Sequence, residues 1–145
     1  MMKRMKLAVL FVAFILCVGA VAQTEPPAYT PKFPGDPAQS NAEAAALGYM
    51  RTVGMAQRMY KKKHGAYATS LAELIGSGSF TRRMVATDRG DYTVKFQSKG
   101  KDYSLSLVPK TFDPAHRAFY MDETGTIRAE ETKPATASSE PVRKG

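Results

Sequence analysis

Between Ala42 and Tyr60 the residues Ala42, Ala46, Tyr49, Val53, Ala56 and Tyr60 recur at spacings of four and three, whereas from Asp91 the apolar spacing drops to two. The first pattern places one apolar stripe along a helix, and the second gives each strand one apolar face. This change of period restricts the fold more than any other feature of the chain. One half-apolar helix followed by half-apolar strands closes only when the helix lies across an antiparallel sheet.

The start of the helix is marked at Ser40, because Ser40-x-x-Glu43 has the spacing of a capping box, in which hydroxyl and carboxylate each satisfy an orphan backbone N–H. Arg51, Met55, Arg58 and Lys62 fall on the face opposite the stripe. Gly48 and Gly54 each weaken the helix by about 1 kcal/mol relative to Ala, so it needs a tertiary partner. Its end is marked by Lys61, Lys62, Lys63 and His64, cations that oppose the macrodipole, and then by Gly65, placed for a left-handed stop. Each part of this basic run therefore has a structural job.

A second capping-box spacing, Ser70-x-x-Glu73, predicts a helix of one to two turns ending at Gly76, with Leu71, Leu74 and Tyr67 pinning it to the long helix. Residues 76–90 read as loop, with Phe80 and Met84 or Val85 as anchors. Strands are expected at "DYTVKFQS" and "YSLSLVP", joined by a turn at Gly100, then at "HRAFYMD", with a short fourth at "TIR" after the turn "ETG". The predicted fold class is α+β, with one long N-terminal helix on a three- to four-stranded antiparallel meander over residues 41–130.

The flanks differ in composition. Residues 1–22 combine Lys3, Arg4 and Lys6 with an apolar run from Leu7 to Ala22 that closes on Ala20-Val21-Ala22, as in a cleavable export signal. The run is shorter than the roughly 20 residues of a membrane-spanning helix. Retained as an anchor, it would be the chain's means of touching a membrane. Cys17 is the sole cysteine and is preceded by Phe14, Ile15 and Leu16, unlike a lipidation site. Cleavage after Ala22 would leave no thiol and hence no disulfide. Residues 23–40 hold five prolines and read as a linker; residues 131–145 are poor in apolar groups and read as a disordered tail.

Formal net charge is +8 for the whole chain, but without residues 1–22 the count is 18 basic against 13 acidic residues, a net +5. That moderate excess argues against a dedicated nucleic-acid binder. The alternative is a polyanion site, for DNA or an envelope polymer, made of Arg51, Arg58, Lys61, Lys62, Lys63, Arg82 and Arg83 with Tyr67 as a stacking platform.

His64 and His116 lie far apart and read as surface residues without zinc-ligand spacing. Asp113, Asp122 and Glu123 are the acids that a calcium loop would draw on, although no D-x-D-x-D-G run accompanies them. No serine sits in a nucleophile elbow. Neither catalytic residues, nor a metal, nor a cofactor are expected.

The run "NAEAAALGYMRTVGMAQRMYKKKHGAYATSLAEL", with the later "DYTVKF", "DYSLSLVP" and "RAFYMDETGTIR", resembles type IV pilin-like and type II secretion pseudopilin-like heads over residues 41–129. There a stretch of the kind "A…LRT…AQ.TY…G.YA.SL..L" precedes a small antiparallel sheet. The resemblance implies a non-enzymatic structural or interaction protein of the cell envelope or secretion apparatus, with partners among envelope or secretion-system proteins. One departure matters: residues 7–22 contain neither the glycine–aromatic junction nor the glutamate of a prepilin. What is implied is thus a pilin-like head carried by an ordinary export signal to the periplasm or beyond.

Overall fold

A computed structural model describes residues 28–143, so the expected export signal at residues 1–22, Cys17 and the first part of the expected linker lie outside the described residues. Helix α1 spans Asn41–His64 and begins as its capping residues dictate: the Ser40 Oγ accepts from the Glu43 N–H at 3.1 Å. It stops at Gly65, whose φ of +80° is left-handed and whose N–H donates to the Lys61 carbonyl. The helix lies inside the chain rather than at its N-terminus.

Five strands follow, β1 (Asp88–Arg89), β2 (Tyr92–Ser98), β3 (Tyr103–Pro109), β4 (Ala118–Asp122) and β5 (Arg128–Glu130), all antiparallel and in sequential order. Among the described residues the count is five, where three or four were expected. β1 accounts for the difference: two residues carry no readable period, and they pair only because the Gly90-Asp91 turn folds them onto Tyr92 and Thr93. β4 starts later than the run "HRAFYMD" suggested. Residues 113–117 are diverted by side chains, since Asp113 Oδ1 takes the Ala115 N–H and a Glu43 oxygen takes the Arg117 N–H.

The inner face of the sheet is two rows of cross-strand neighbours. Val94, Leu107, Phe119 and Ala129 form one; Phe96, Leu105 and Met121 form the other. Onto these rows α1 lays Leu47, Met50 and Val53, none of which is exposed. Burying side chains of this size contributes about 1.5–3 kcal/mol each. Tyr49, Tyr92 and Tyr103 are also buried, and two of the rings are pinned by their hydroxyls: that of Tyr49 donates to the Met84 carbonyl and that of Tyr92 to the Arg117 carbonyl. Burial raises the Tyr49 and Tyr103 hydroxyls to about 12, so both stay un-ionised.

The connection from α1 to the sheet is anchored by Leu71, Leu74 and Phe80, and Tyr67 meets Tyr103 edge-on at 5.1 Å. Here the second capping box is half formed: the Ser70 Oγ accepts from the Glu73 N–H at 3.4 Å, as expected, but the carboxylate bond moves one residue back. The Glu73 carboxylate reaches the Thr69 N–H at 2.7 Å, and the helix shrinks to the 3-10 turn Ala72–Leu74.

Both flanks pack more than their composition suggested. In the proline-rich segment the buried Asp36 carboxylate accepts from the Tyr29 hydroxyl and from the Lys32 and Ala38 N–H groups, and these bonds hold it below the usual carboxylate range. Residues 131–143, read as a disordered tail, instead return to the open edge of β5. The Ala129 N–H donates to the Glu140 carbonyl, the Val142 N–H donates to that of Ile127, and Ala135 and Ser139 are buried. Backbone pairing with an exposed sheet edge requires few apolar side chains, which is why composition did not reveal it.

Gly48, inside α1, and Gly65, which ends it, make opposite demands. A Cβ at Gly48 would meet nothing within 4 Å, whereas Gly65 is left-handed. In urea unfolding, Gly48→Ala is expected to raise stability by about 0.5–1 kcal/mol and Gly65→Ala to lower it by about 1–2 kcal/mol. Shifts of the same sign would contradict these helix boundaries.

Candidate functional site

The strongest polar constellation lies at the start of α1. Glu43 is fully buried, and both its oxygens are engaged: Oε1 accepts from the Arg117 N–H at 2.9 Å and Nε at 3.0 Å, while Oε2 accepts from Arg117 Nη2 at 2.8 Å and the Gln39 N–H at 2.8 Å. Arg117 Nη2 also donates to the Pro37 carbonyl at 2.7 Å. The expected capping box is therefore half formed, because the carboxylate serves Gln39 and β4 instead of closing on Ser40. Next to it, Ser40 Oγ donates to the Ala115 carbonyl.

At the far end of the helix Gln57, also unexposed, forms a pair of bonds with one residue of the following loop. Its Nε2 donates to the Ala68 carbonyl at 3.1 Å, and its Oε1 accepts from the Ala68 N–H at 2.9 Å. A buried amide satisfied on both sides fixes the loop as a β-bridge would.

Between the β1–β2 turn and the β3–β4 connection, His116 is held by two carboxylates. Nδ1 lies 2.8 Å from Asp113 Oδ1, and Nε2 lies 3.3 Å from Asp91 Oδ2. A neutral imidazole has one N–H, so both contacts are hydrogen bonds only in the imidazolium form. Burial pulls the His116 pKa down, but the hydrogen bond and charge of Asp113, with Asp91, more than offset it and leave it raised above 6.5. The hydrogen bond from His116 in turn holds Asp113 below its ordinary value. His116, expected as a plain surface residue, is thus a partly buried ionic link. Next to it a cleft of about 400 Å³ opens between Ala42, Ala45 and Ala46 of α1 and the turn carrying Arg89 and Asp91.

The seven candidate anion-binding cations do not converge. At roughly 100° per residue, Arg51, Arg58 and Lys62 share one outward strip of α1 while Lys61 and Lys63 diverge to either side. Arg51 stands 5.4 Å over the Phe33 ring. Lys61 Nζ lies 4.3 Å over the Tyr67 ring, covering the expected stacking platform. Arg82 and Arg83 are exposed on a separate 3-10 turn, Arg82–Val85, beside Tyr49. The acids considered for calcium are also separated, with Asp113 on His116 and Asp122 on Thr124. Among the described residues no group of three or more His, Cys, Asp or Glu side chains could hold a metal, and no helix is long and apolar enough to cross a membrane.

Sequence reasoning missed Glu43 and Gln57 as core residues. The signal was present, since Glu43, Leu47, Met50, Gly54 and Gln57 recur at the same four-and-three spacing as the stripe chosen, one residue along. Comparison of the chain with protein-family models, curated proteins and solved structures finds no match in any of the three.

The His116 link sets a pH dependence. Its pKa is raised in the folded state, so its contribution is full below pH 6.5, the unfolded value, and fades as pH rises through the folded pKa. In an NMR titration the His116 ring is expected to titrate above 6.5, and Asp113→Asn should lower that value. A midpoint below 6.5, or one unmoved by Asp113→Asn, would contradict the link.

Proposed function

We propose that the chain is an exported, non-enzymatic pilin-like or pseudopilin-like head, a structural or interaction protein of the cell envelope or secretion apparatus. One observation carries this reading: the residues that bear the resemblance are those that make the buried polar contacts. Gln57 of "AQRMY" holds Ala68 of "GAYATSL", and Glu43 of "NAEAAAL" holds Arg117 at the head of "RAFYMDETGTIR". The motif thus corresponds to the joints of a helix-on-sheet body, α1 lying on the five-stranded sheet.

Such a body works by presenting rigid surfaces. The inner side of α1 is consumed by the sheet, while its outer side and the turns stay available to partners. The apolar run at residues 7–22 lacks the prepilin junction, so the head in this reading acts as a single unit docked on envelope partners rather than as a filament-core subunit.

The test is in vivo crosslinking of the native chain, followed by mass spectrometry of the captured proteins and of the chain's own N-terminus. The expected result is a mature chain beginning at Gln23, crosslinked to subunits of secretion or pilus machinery. A chain recovered from the cytoplasm with Met1 retained, and with no such subunit attached, would refute the proposal.

A further inference from the structure

Among the described residues the exposed large hydrophobic side chains are Phe33, Met55, Met59 and Ile75, between 39 % and 49 % accessible. They gather on one side of the molecule. Met55 and Met59 are on the outward surface of α1, and Phe33 lies under the guanidinium of Arg51. Ile75 belongs to the loop that backs onto this surface at Gly78, where an added Cβ would stand 3.1 Å from the Met59 sulfur. Arg51, Arg58 and Lys62 are interleaved with the methionines over an arc of roughly 100°. The only acid of α1, Glu43, is buried; the acids near this face come from other elements, Asp36 beside Arg51 and the Asp122–Gly125 turn beside Arg58, and leave Lys62 and the methionines uncovered.

We propose that this outward face of α1 docks on the surface of an anionic phospholipid bilayer. The face offers cations and long apolar side chains in alternation, so its partner must supply negative charge and, a few ångströms deeper, a medium that covers methionine and phenylalanine. A bilayer has phosphates above and acyl chains below, and arginine and lysine reach back to the phosphates while their stems enter the apolar layer. Nucleic acid would answer the charges and leave the methionines in water. Chain length places face and bilayer together wherever the run Leu7–Ala22 stays in a membrane: ten residues separate it from Phe33, which span at most about 36 Å.

This inference is independent of the pilin-like reading, since a bilayer contact needs no secretion partner. Its test is co-sedimentation of the full chain with vesicles of equal parts phosphatidylcholine and phosphatidylglycerol, and with vesicles of phosphatidylcholine alone. Binding is expected to the anionic vesicles, weakening with added salt. Combined Arg51→Glu, Arg58→Glu and Lys62→Glu should lower affinity about 100-fold or more, and combined Met55→Ser and Met59→Ser about five- to tenfold. All five positions are exposed, and an unchanged circular dichroism spectrum confirms each variant's fold. No binding to either vesicle, or equal binding to both, overturns the proposal. So does undiminished binding of the charge-reversed chain, which would assign attachment to residues 7–22. Displacement by duplex DNA that the Met→Ser changes leave untouched would assign the face to nucleic acid and overturn it too.

Discussion

A buried carboxylate is tolerable only where its charge is answered. At Glu43, with no exposed surface, four N–H donors do so. Three come from Arg117 and one from Gln39, so one side chain joins the segment before the helix, the first turn of α1 and the entry to β4. The rest of the structure depends on that junction. Removing one partner strands the other charge in a dry place, at a cost of about 3–5 kcal/mol. A domain of this size has a total stability of about 5–15 kcal/mol. The Arg117 bond to the Pro37 carbonyl extends the same dependence into the proline-rich segment, where backbone donors are scarce.

Gln57 repeats the arrangement about 21 Å further along the helix. Between the two polar pins the contact of α1 with the sheet is mainly apolar, with Leu47, Met50 and Val53 over the rows headed by Val94 and Phe96, and Arg89 of β1 over the Tyr49 ring. Apolar contact is non-directional and by itself would let the helix slide or rotate on the sheet. The pins supply direction, because a carboxylate matched to a guanidinium and an amide matched to one peptide group each admit a single register. The outer face of the same helix carries neither pin, and its methionines and cations make only partial contacts within the fold, such as Arg51 over Phe33 and Arg58 beside the Met55 sulfur.

Period and capping residues made most of the architecture legible in the sequence. Ser40, Gly65 and the alternating residues of β2 and β3 act locally, so their meaning can be read from neighbours in the chain. The parts that were not legible involve distant partners. Nothing near Arg117 indicates that it will meet Glu43, 74 positions earlier, and nothing near Asp91 points to His116. The return of residues 131–143 to β5 is carried by backbone bonds, which composition does not record. The seven cations failed to form one surface for a related reason: proximity in sequence at Lys61–Lys63 is divergence on a helix, and Arg82 and Arg83 sit on another element.

The most direct test of the Glu43–Arg117 junction is a double-mutant cycle with Glu43→Leu and Arg117→Met, read by denaturant unfolding. Each single change is expected to cost about 3–5 kcal/mol, and the pair together far less than the sum, because neither charge is then left stranded. Additive losses, or single losses under about 1 kcal/mol as for an exposed ion pair, would contradict it.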